Sequence, residues 1–302
     1  MRKESGDSVV SCSAWTGGKE DIGKEMRAPV NKIIPFSAVD GYGNRTAVFF
    51  QGCNQNCLYC HNPETIQECI HCGACVTTCP AGALSLSDAG RVVYDISKCC
   101  NCDTCLKTCT NNASPRIRHM TSKELLEEIR AYLPFIDGVT ASGGECSLRS
   151  DFLTEFFERI KKEKKTAYMD TNGQIPLWDK KELLAVLDKT MIDLKAGTEE
   201  DHRKLTGMGL ENPVENIRRM AAIGKLYEIR TVVVPDVVDN ARTVALGASL
   251  IADVPDVRYK LIKFRHYGVR SEYAGIKEPS DAVMEELREL AAAKGVKNIV
   301  VT

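Results

Sequence analysis

The chain has 302 residues, 43% hydrophobic and 27% charged, enough for one large core with a small appended module. Its formal net charge of -1 gives neither nucleic acid nor an anionic membrane a reason to bind. The longest apolar runs, such as Thr231 to Pro235, are strand-sized and far short of the roughly 20 residues that span a membrane.

Residues 1–25 are polar, rich in Gly, Ser and charge, and without periodicity; they read as a disordered leader, with Met26 as an alternative start. No charged segment followed by an apolar one opens the chain, so a cytoplasmic location is expected. RTAVFFQ, Arg45 to Gln51, reads as a strand ending just before Cys53. Residues 61–118 are cysteine-rich and irregular, and beyond them the pattern becomes regular. A helix starts near Ser122 in SKELLEEIRAYL, with Leu125, Leu126 and Ile129 on one face, and the strand DGVTASGGE follows. Helix DFLTEFFERIKKE, strand TAYMDTNG, helix KKELLAVL, strand TMIDLKAG, helix NPVENIRRMAA and strand YEIRTVVVP continue the alternation. A helix over 242–251, strand VRYKLIKFRHYG, a helix over 281–294 and strand VKNIVVT complete it. This alternation predicts an α/β fold, a parallel sheet with right-handed crossovers. Polar or glycine-rich residues fall where each strand ends: Cys53, Gly143 to Glu145, Asp170 to Gly173, Asp193 and Lys195, Pro235, and Arg265 to Gly268. Nothing resembles a G-x-G-x-x-G turn, so an open, partial barrel is expected ahead of a doubly wound sheet, with those strand ends forming one site.

Thirteen of the fourteen cysteines lie between Cys53 and Cys146. A disulfide framework suits small secreted domains and is the weaker reading of a chain this long. Cys69, Cys72, Cys75 and Cys79 form one run, Cys99, Cys102, Cys105 and Cys109 a second, both spaced C-x2-C-x2-C-x3-C as in two-cluster ferredoxins. In that arrangement the fourth cysteine of each run serves the other cluster. The ligand sets are then Cys69, Cys72, Cys75 and Cys109 for one [4Fe-4S] cluster, and Cys99, Cys102, Cys105 and Cys79 for the other. Pro80 closes the first run as expected, Thr110 departs from that pattern, and Cys100 is left over as a non-ligand neighbour. Structural zinc would also use eight thiolates, but it favours two separated C-x2-C pairs. A third motif, GCNQNCLYCHN over 52–62, places Cys53, Cys57 and Cys60 at C-x3-C-x2-C spacing, one ligand short of a closed tetrahedral site.

CNQNCLYCHN, SGGE, DTNG and DLK, in that order, resemble a radical S-adenosylmethionine (SAM) enzyme of the glycyl-radical-enzyme activase group. The resemblance covers about residues 31–301; NKIIPFSAVDG, RTAVFFQGCNQNC, VVYDISKC and KFRHYGVR look most similar to the YjjW-type activases. It implies a partial (β/α)6 TIM-like barrel over 26–60 and 119–302, with a ferredoxin-like bicluster insertion over 61–118. It also implies three [4Fe-4S] clusters, the one at Cys53, Cys57 and Cys60 keeping an iron open for the amino and carboxylate groups of SAM. Tyr59 precedes the third cysteine as is usual in the superfamily, and His61 is expected to pack or hydrogen-bond nearby. Carbonyls of Gly143 and Gly144 and the Glu145 carboxylate are expected to receive the SAM ammonium, with Cys146 where relatives carry proline. Asp170, Thr171, Met191 and Asp193 match positions that hold a monovalent cation beside SAM in relatives; Lys195 is expected to neutralise the SAM carboxylate. Asp40 matches the aspartate of a DGPG motif, with Tyr42 in place of its proline, and Arg230 an arginine near the substrate backbone. His202 and Thr206 match a recurring pattern that is equally well structural. Arg265 aligns with a histidine that touches SAM; the strand pleat would send Arg265 and His266 to opposite faces, and register favours Arg265. The implied activity is hydrogen abstraction from a glycine of a partner glycyl radical enzyme, possible partners including a YjjI-type enzyme, with a flavodoxin or ferredoxin as electron donor. A radical SAM enzyme acting on a small molecule, and a non-catalytic iron-sulfur electron carrier, are the alternatives.

Overall fold

A computed structural model describes residues 25–273 and 275–302. The leader expected over 1–25 lies outside the described residues except for Glu25. Strands β1 (Arg27–Ser37) and β2 (Arg45–Phe50) lead into the cysteine-rich stretch. That stretch carries α1 (Ala74–Thr78), the hairpin strands β3 (Leu84–Leu86) and β4 (Val92–Tyr94), and α2 (Thr104–Thr108). Then come β5 (Arg118–Thr121), α3 (Ser122–Ile129), β6 (Gly138–Gly143), α4 (Ser150–Lys162), β7 (Thr166–Thr171), α5 (Lys181–Val186) and β8 (Lys189–Asp193). The chain finishes with α6 (Glu199–Thr206), α7 (Glu211–Ala222), β9 (Leu226–Val233), α8 (Asn240–Ile251), β10 (Arg258–Lys263), α9 (Asp281–Ala293) and β11 (Asn298–Val301). Local chemistry sets the helix starts. Thr121 and Glu124 form a reciprocal capping box on α3, and Thr198, Asp239 and Ser280 accept from amides in the first turns of α6, α8 and α9.

The main sheet has nine strands in the order β11-β10-β9-β8-β7-β6-β2-β1-β5. From β2 to β11 all neighbouring pairs are parallel, and they stand in chain order. A doubly wound sheet reverses its order at a switch point, and this sheet does not, so its crossovers wind in one sense as in a partial barrel. Strands β1 and β5 add an antiparallel edge that sequence periodicity does not single out. The reason lies in β1: Ala28, Pro29 and Val30 are buried in succession, and its pairing with β2 shifts register between Val30 and Lys32, so no clean alternation survives.

Period-2 alternation gives the parallel sheet two different faces. Val139, Ala141, Ala167, Met169, Ile192, Ile229 and Leu261 belong to the large apolar core, which also contains the buried faces of α3, α4, α7, α8 and α9. The intervening residues carry the charges: Asp170 in β7, Asp193 in β8, Glu228 and Arg230 in β9, Arg258 and Lys260 in β10. At the start of β2, Arg45 is fully buried and donates to Thr140 Oγ1 (2.8 Å), Thr166 Oγ1 (2.9 Å), Val139 O (2.6 Å) and Tyr42 O (3.2 Å). The cysteine-rich stretch has its own two-stranded sheet and a small core of Cys75, Leu84 and Cys105. Among the described residues no helix is long and apolar enough to cross a membrane.

Candidate functional site

Cys53, Cys57 and Cys60 lie on the loop that leaves the C-terminal end of β2, and main-chain hydrogen bonds hold that loop from several sides. Gly52 and Cys53 N–H donate to Thr65 O and Ile66 O at 2.9 and 3.0 Å, and Asn56 and Leu58 N–H donate to the carbonyls of Thr206 and Leu205 at the end of α6 at 3.0 and 2.9 Å. The Glu145 amide donates to Gly52 O at 2.8 Å. The loop after β10 closes over the opposite side: Arg270 donates to Asn56 Oδ1 (2.9 Å) and Cys57 O (3.0 Å), and His61 Nε2 lies 2.9 Å from Arg265 O.

The three thiols are free, Cys57 buried and the other two half-buried. Burial pushes the Cys53 thiol up to about 12 and that of Cys60 up to about 11, and raises that of Cys57 as well. Thiolates there need positive charge close by. A set of three soft donors on one short loop fits an iron-sulfur cluster that binds thiolate and brings that charge. Among the described residues no three His, Cys, Asp or Glu side chains gather closely enough for a single metal ion. A lone zinc would draw its thiolates to about 2.3 Å from one centre, whereas a cubane spreads them over separate irons. Two side-chain amides missed from the sequence complete the surroundings. Asn172 Nδ2 lies 3.8 Å from Cys53 Sγ and donates to Asn54 Oδ1 at 2.8 Å; Gln55 Oε1 lies 3.4 Å from Cys57 Sγ while its buried Nε2 has no hydrogen-bond partner in the structure. Both sit inside the motifs, Gln55 between two cysteines and Asn172 in DTNG.

The glycines of SGGE are needed for the chain's own packing. A Cβ on Gly143, at φ +120°, would lie 2.2 Å from Phe50 N, and one on Gly144 would lie 2.4 Å from Gly52 O. The end of β6 therefore rests directly on the start of the cysteine loop. Glu145 is buried, and its carboxylate accepts from Ser147 N–H (2.9 Å), Thr171 Oγ1 (2.7 Å) and Asn172 N–H (2.7 Å). Burial raises its pKa against those donors. A carboxylate has about four acceptor positions, and these donors fill most of them.

Arg230 organises the charged face of the sheet. It donates to Asp170 Oδ2 (2.9 Å), Glu228 Oε1 (2.5 Å) and Val39 O (3.2 Å), and its Nη2 lies 2.9 Å from Met191 Sδ. Burial pushes Asp170 up to about 6 against the pull of Arg230, and Ser142 Oγ donates to the same carboxylate at 3.0 Å. Lys195 pairs with Asp193 at 2.7 Å and stands 5.9 Å above the Tyr59 ring; burial works against its ammonium, but Asp193, Tyr59 and Cys57 together hold the pKa well above the ordinary value. Tyr59 is buried and its hydroxyl has no hydrogen-bond partner in the structure.

The four residues expected around a monovalent cation lie on the adjacent ends of β7 and β8, where each already has a protein partner. Asp170 and Met191 are engaged by Arg230, Thr171 turns its hydroxyl to Glu145, and Asp193 pairs with Lys195. The choice between Arg265 and His266 also dissolves, because β10 ends at Lys263 and the pleat argument ends with it. Both side chains are exposed; His266 Nε2 lies 3.7 Å from Glu278, and Arg265 contributes its carbonyl to His61. His61 lies between Tyr59 and Phe264, its ring tilted against both at centroid distances of 6.4 and 5.7 Å. Asp40 accepts from Ser37 Oγ, and its carbonyl accepts from Thr140 Oγ1 at 2.6 Å, which turns the loop after β1 toward the charged face. His202 and Thr206 are fully buried and support the cysteine loop through α6.

In the cysteine-rich stretch, Cys69, Cys72, Cys75 and Cys109 line one cavity, and Cys79, Cys99, Cys100, Cys102 and Cys105 line another. Cys109 thus lies with the first run and Cys79 with the second.

Among curated proteins, the chain is 29% identical to the indoleacetate decarboxylase activating enzyme of Tractidigestivibacter scatoligenes over 93% of this chain and 99% of that one. It is 28% identical to the pyruvate formate-lyase 1-activating enzyme of Escherichia coli strain K12, over 86% of this chain and 93% of the relative. Among solved structures, QueE from Escherichia coli superposes with a TM-score of 0.54 at 14% identity, covering 91% of this chain and 94% of that one, a likeness of fold. The model of the radical SAM superfamily matches residues 47–246, from β2 through the cysteine loop, the glycine pair and the charged strands into α8. With well over half its length matched, this chain belongs to the radical SAM superfamily.

Proposed function

We propose that this chain activates a glycyl radical enzyme, and that residues 26–60 and 119–302 carry the chemistry while 61–118 carry two further clusters. The observation that carries the reading is the three-thiol loop seated on Gly143 and Gly144 beside Lys195 and Glu145, in a chain aligned over most of its length with two activating enzymes. Cys53, Cys57 and Cys60 would hold three irons of a [4Fe-4S] cluster and leave the fourth for SAM. When bound, the cluster supplies one electron to the sulfonium of SAM. That chemistry would break the C5'–S bond, release methionine and let the 5'-deoxyadenosyl radical take a hydrogen atom from a glycine Cα of the partner, giving 5'-deoxyadenosine and a backbone radical. The chain's residues would orient and shield: Lys195 would face the SAM carboxylate, the Glu145 carboxylate and the carbonyls at Gly143 and Gly144 would receive the ammonium, and the loop after β10 would exclude water from the thiols. Arg230 supplies at Asp170 the positive charge for which the resemblance implied a monovalent cation, and with Asp40 it lies toward the bound glycine segment. The quartets of the insertion hold the other two [4Fe-4S] clusters and receive electrons from a flavodoxin or ferredoxin.

The test is SAM turnover in protein reconstituted without oxygen and reduced with dithionite, wild type against Cys57→Ala, with 5'-deoxyadenosine and methionine measured. Product from the wild type alone, together with a glycyl radical signal when a candidate partner is added, is the expected result. A wild-type sample holding about twelve irons that forms no product with or without partner would sink the reading.

A further inference from the structure

The two thiol-lined cavities of the insertion are alike in ligand count and unlike in everything around the ligands. The described residues lining the Cys69, Cys72, Cys75 and Cys109 cavity are apolar or neutral, among them Ile70, Val92 and Asn111, and none is charged. The cavity of Cys79, Cys99, Cys102 and Cys105 is also lined by Tyr94, Asp103 and Arg116. Tyr94 and Arg116 share that cavity's wall with Cys99, so a hydroxyl and a guanidinium stand beside its sulfur. Main-chain and hydroxyl donors add to them: Asn101 N–H to Cys99 at 3.4 Å, Thr104 Oγ1 to Cys102 at 3.3 Å and Ala83 N–H to Cys79 at 3.3 Å. At the first cavity the corresponding donor among the described residues is His71 N–H to Cys69 at 3.4 Å.

Arg116 pairs with Asp103 at 2.7 Å, but the two charges are not equivalent. The Arg116 side chain is 19% exposed and faces the thiols, whereas that of Asp103 is 54% exposed and screened by water. Asp103 therefore offsets the Arg116 charge only in part at the second cavity.

Resting on the reading that each quartet holds a [4Fe-4S] cluster, we infer that the two clusters are unequal in potential, with Tyr94 and Arg116 raising the one at Cys79, Cys99, Cys102 and Cys105. Reduction adds one negative charge to a cluster, so a nearby cation and donors to its sulfurs favour the reduced state. The first electron delivered by a one-electron donor, such as a reduced flavodoxin, therefore rests on that cluster, and the donor is left oxidised by one electron. Tyr94 and Arg116 are positioning residues that act through the sulfurs and touch no substrate.

The experiment is an anaerobic redox titration of the full-length reconstituted protein followed by electron paramagnetic resonance, with iron content measured on each sample. Cys102→Ser and Cys72→Ser assign the signals, since each removes a ligand from one quartet. Arg116→Gln is expected to move the signal lost in Cys102→Ser to more negative potential by at least a tenfold change in its reduction equilibrium, about 59 mV for one electron. Tyr94→Phe, which keeps the ring and its packing, is expected to move it the same way, and the signal lost in Cys72→Ser stays in place. Unmoved signals in both variants, or movement of the other signal, would overturn the inference while leaving the two-cluster reading intact. Iron content too low for the two quartets would overturn both.

Discussion

A Cβ on Gly143 would stand 2.2 Å from Phe50 N and 2.3 Å from Phe50 O, at a φ of +120° that side chains rarely adopt. Those atoms belong to the backbone of the neighbouring strand and cannot rotate away. Gly143→Ala should therefore cost about 3 kcal/mol, measured as a lower urea midpoint, and separate the end of β6 from the cysteine loop. The glycine pair was legible in the sequence, but its purpose there was read as ligand approach; the structure places the loop itself in contact. Asn172 and Gln55 were not legible as cluster neighbours, because a side-chain amide has no characteristic spacing and reaches Cys53 or Cys57 only through the fold. For Asp170 and Thr171 the motif located the strand end correctly. Which way each side chain turned depended on Arg230 and Glu145, which come from other strands.

At the scale of elements, α6 couples a helix to the cluster loop through the Leu205 and Thr206 carbonyls. His202 within it is fully buried, with Nδ1 2.7 Å from Met208 O. A carbonyl can only accept, so Nδ1 carries a proton, and the buried Nε2, which has no hydrogen-bond partner in the structure, favours the neutral ring. Burial lowers the pKa below its ordinary 6.5. The unfolded chain therefore takes up the proton first, and His202 contributes stability that is present above pH 6.5 and lost as pH falls below it. The loss should approach about 1.4 kcal/mol per pH unit in urea titrations, and His202→Asn, which keeps a donor near Met208 O, should flatten that slope. A slope that survives the substitution would assign the acid lability elsewhere. The strand after α8 carries a different lesson: VRYKLIKFRHYG reads as one extended run, yet β10 stops at Lys263. Gly268, at φ +80°, then packs onto His61 O, where a Cβ would lie 2.2 Å away, and this tertiary contact turns the chain back over the cysteine loop.

At the scale of the molecule, one α/β sheet presents the site and a separate small sheet holds the two cysteine quartets. The Ile66 and Thr65 carbonyls join the two by receiving the Cys53 and Gly52 amides, only three residues before the first quartet begins at Cys69. If the insertion relays electrons inward, a small reductant should bypass it and a protein donor should not. Cys72→Ser and Cys102→Ser are then expected to cleave SAM within about twofold of wild type with dithionite and at least about tenfold more slowly with flavodoxin. An equal fall with both reductants would make the insertion a structural or docking element.

By itself the sequence determined the α/β alternation, the three cysteine motifs and the glycine pair, because each is written in local periodicity or in spacing along the chain. Tertiary structure alone decided the antiparallel edge of β1 and β5, the capture of Asp170 and Met191 by Arg230, and the unequal surroundings of the two quartets. The physical reason is common to all three. Hydrogen bonds and ion pairs between side chains far apart in sequence are chosen by where the backbone brings them, and a motif specifies donors without specifying which partner wins.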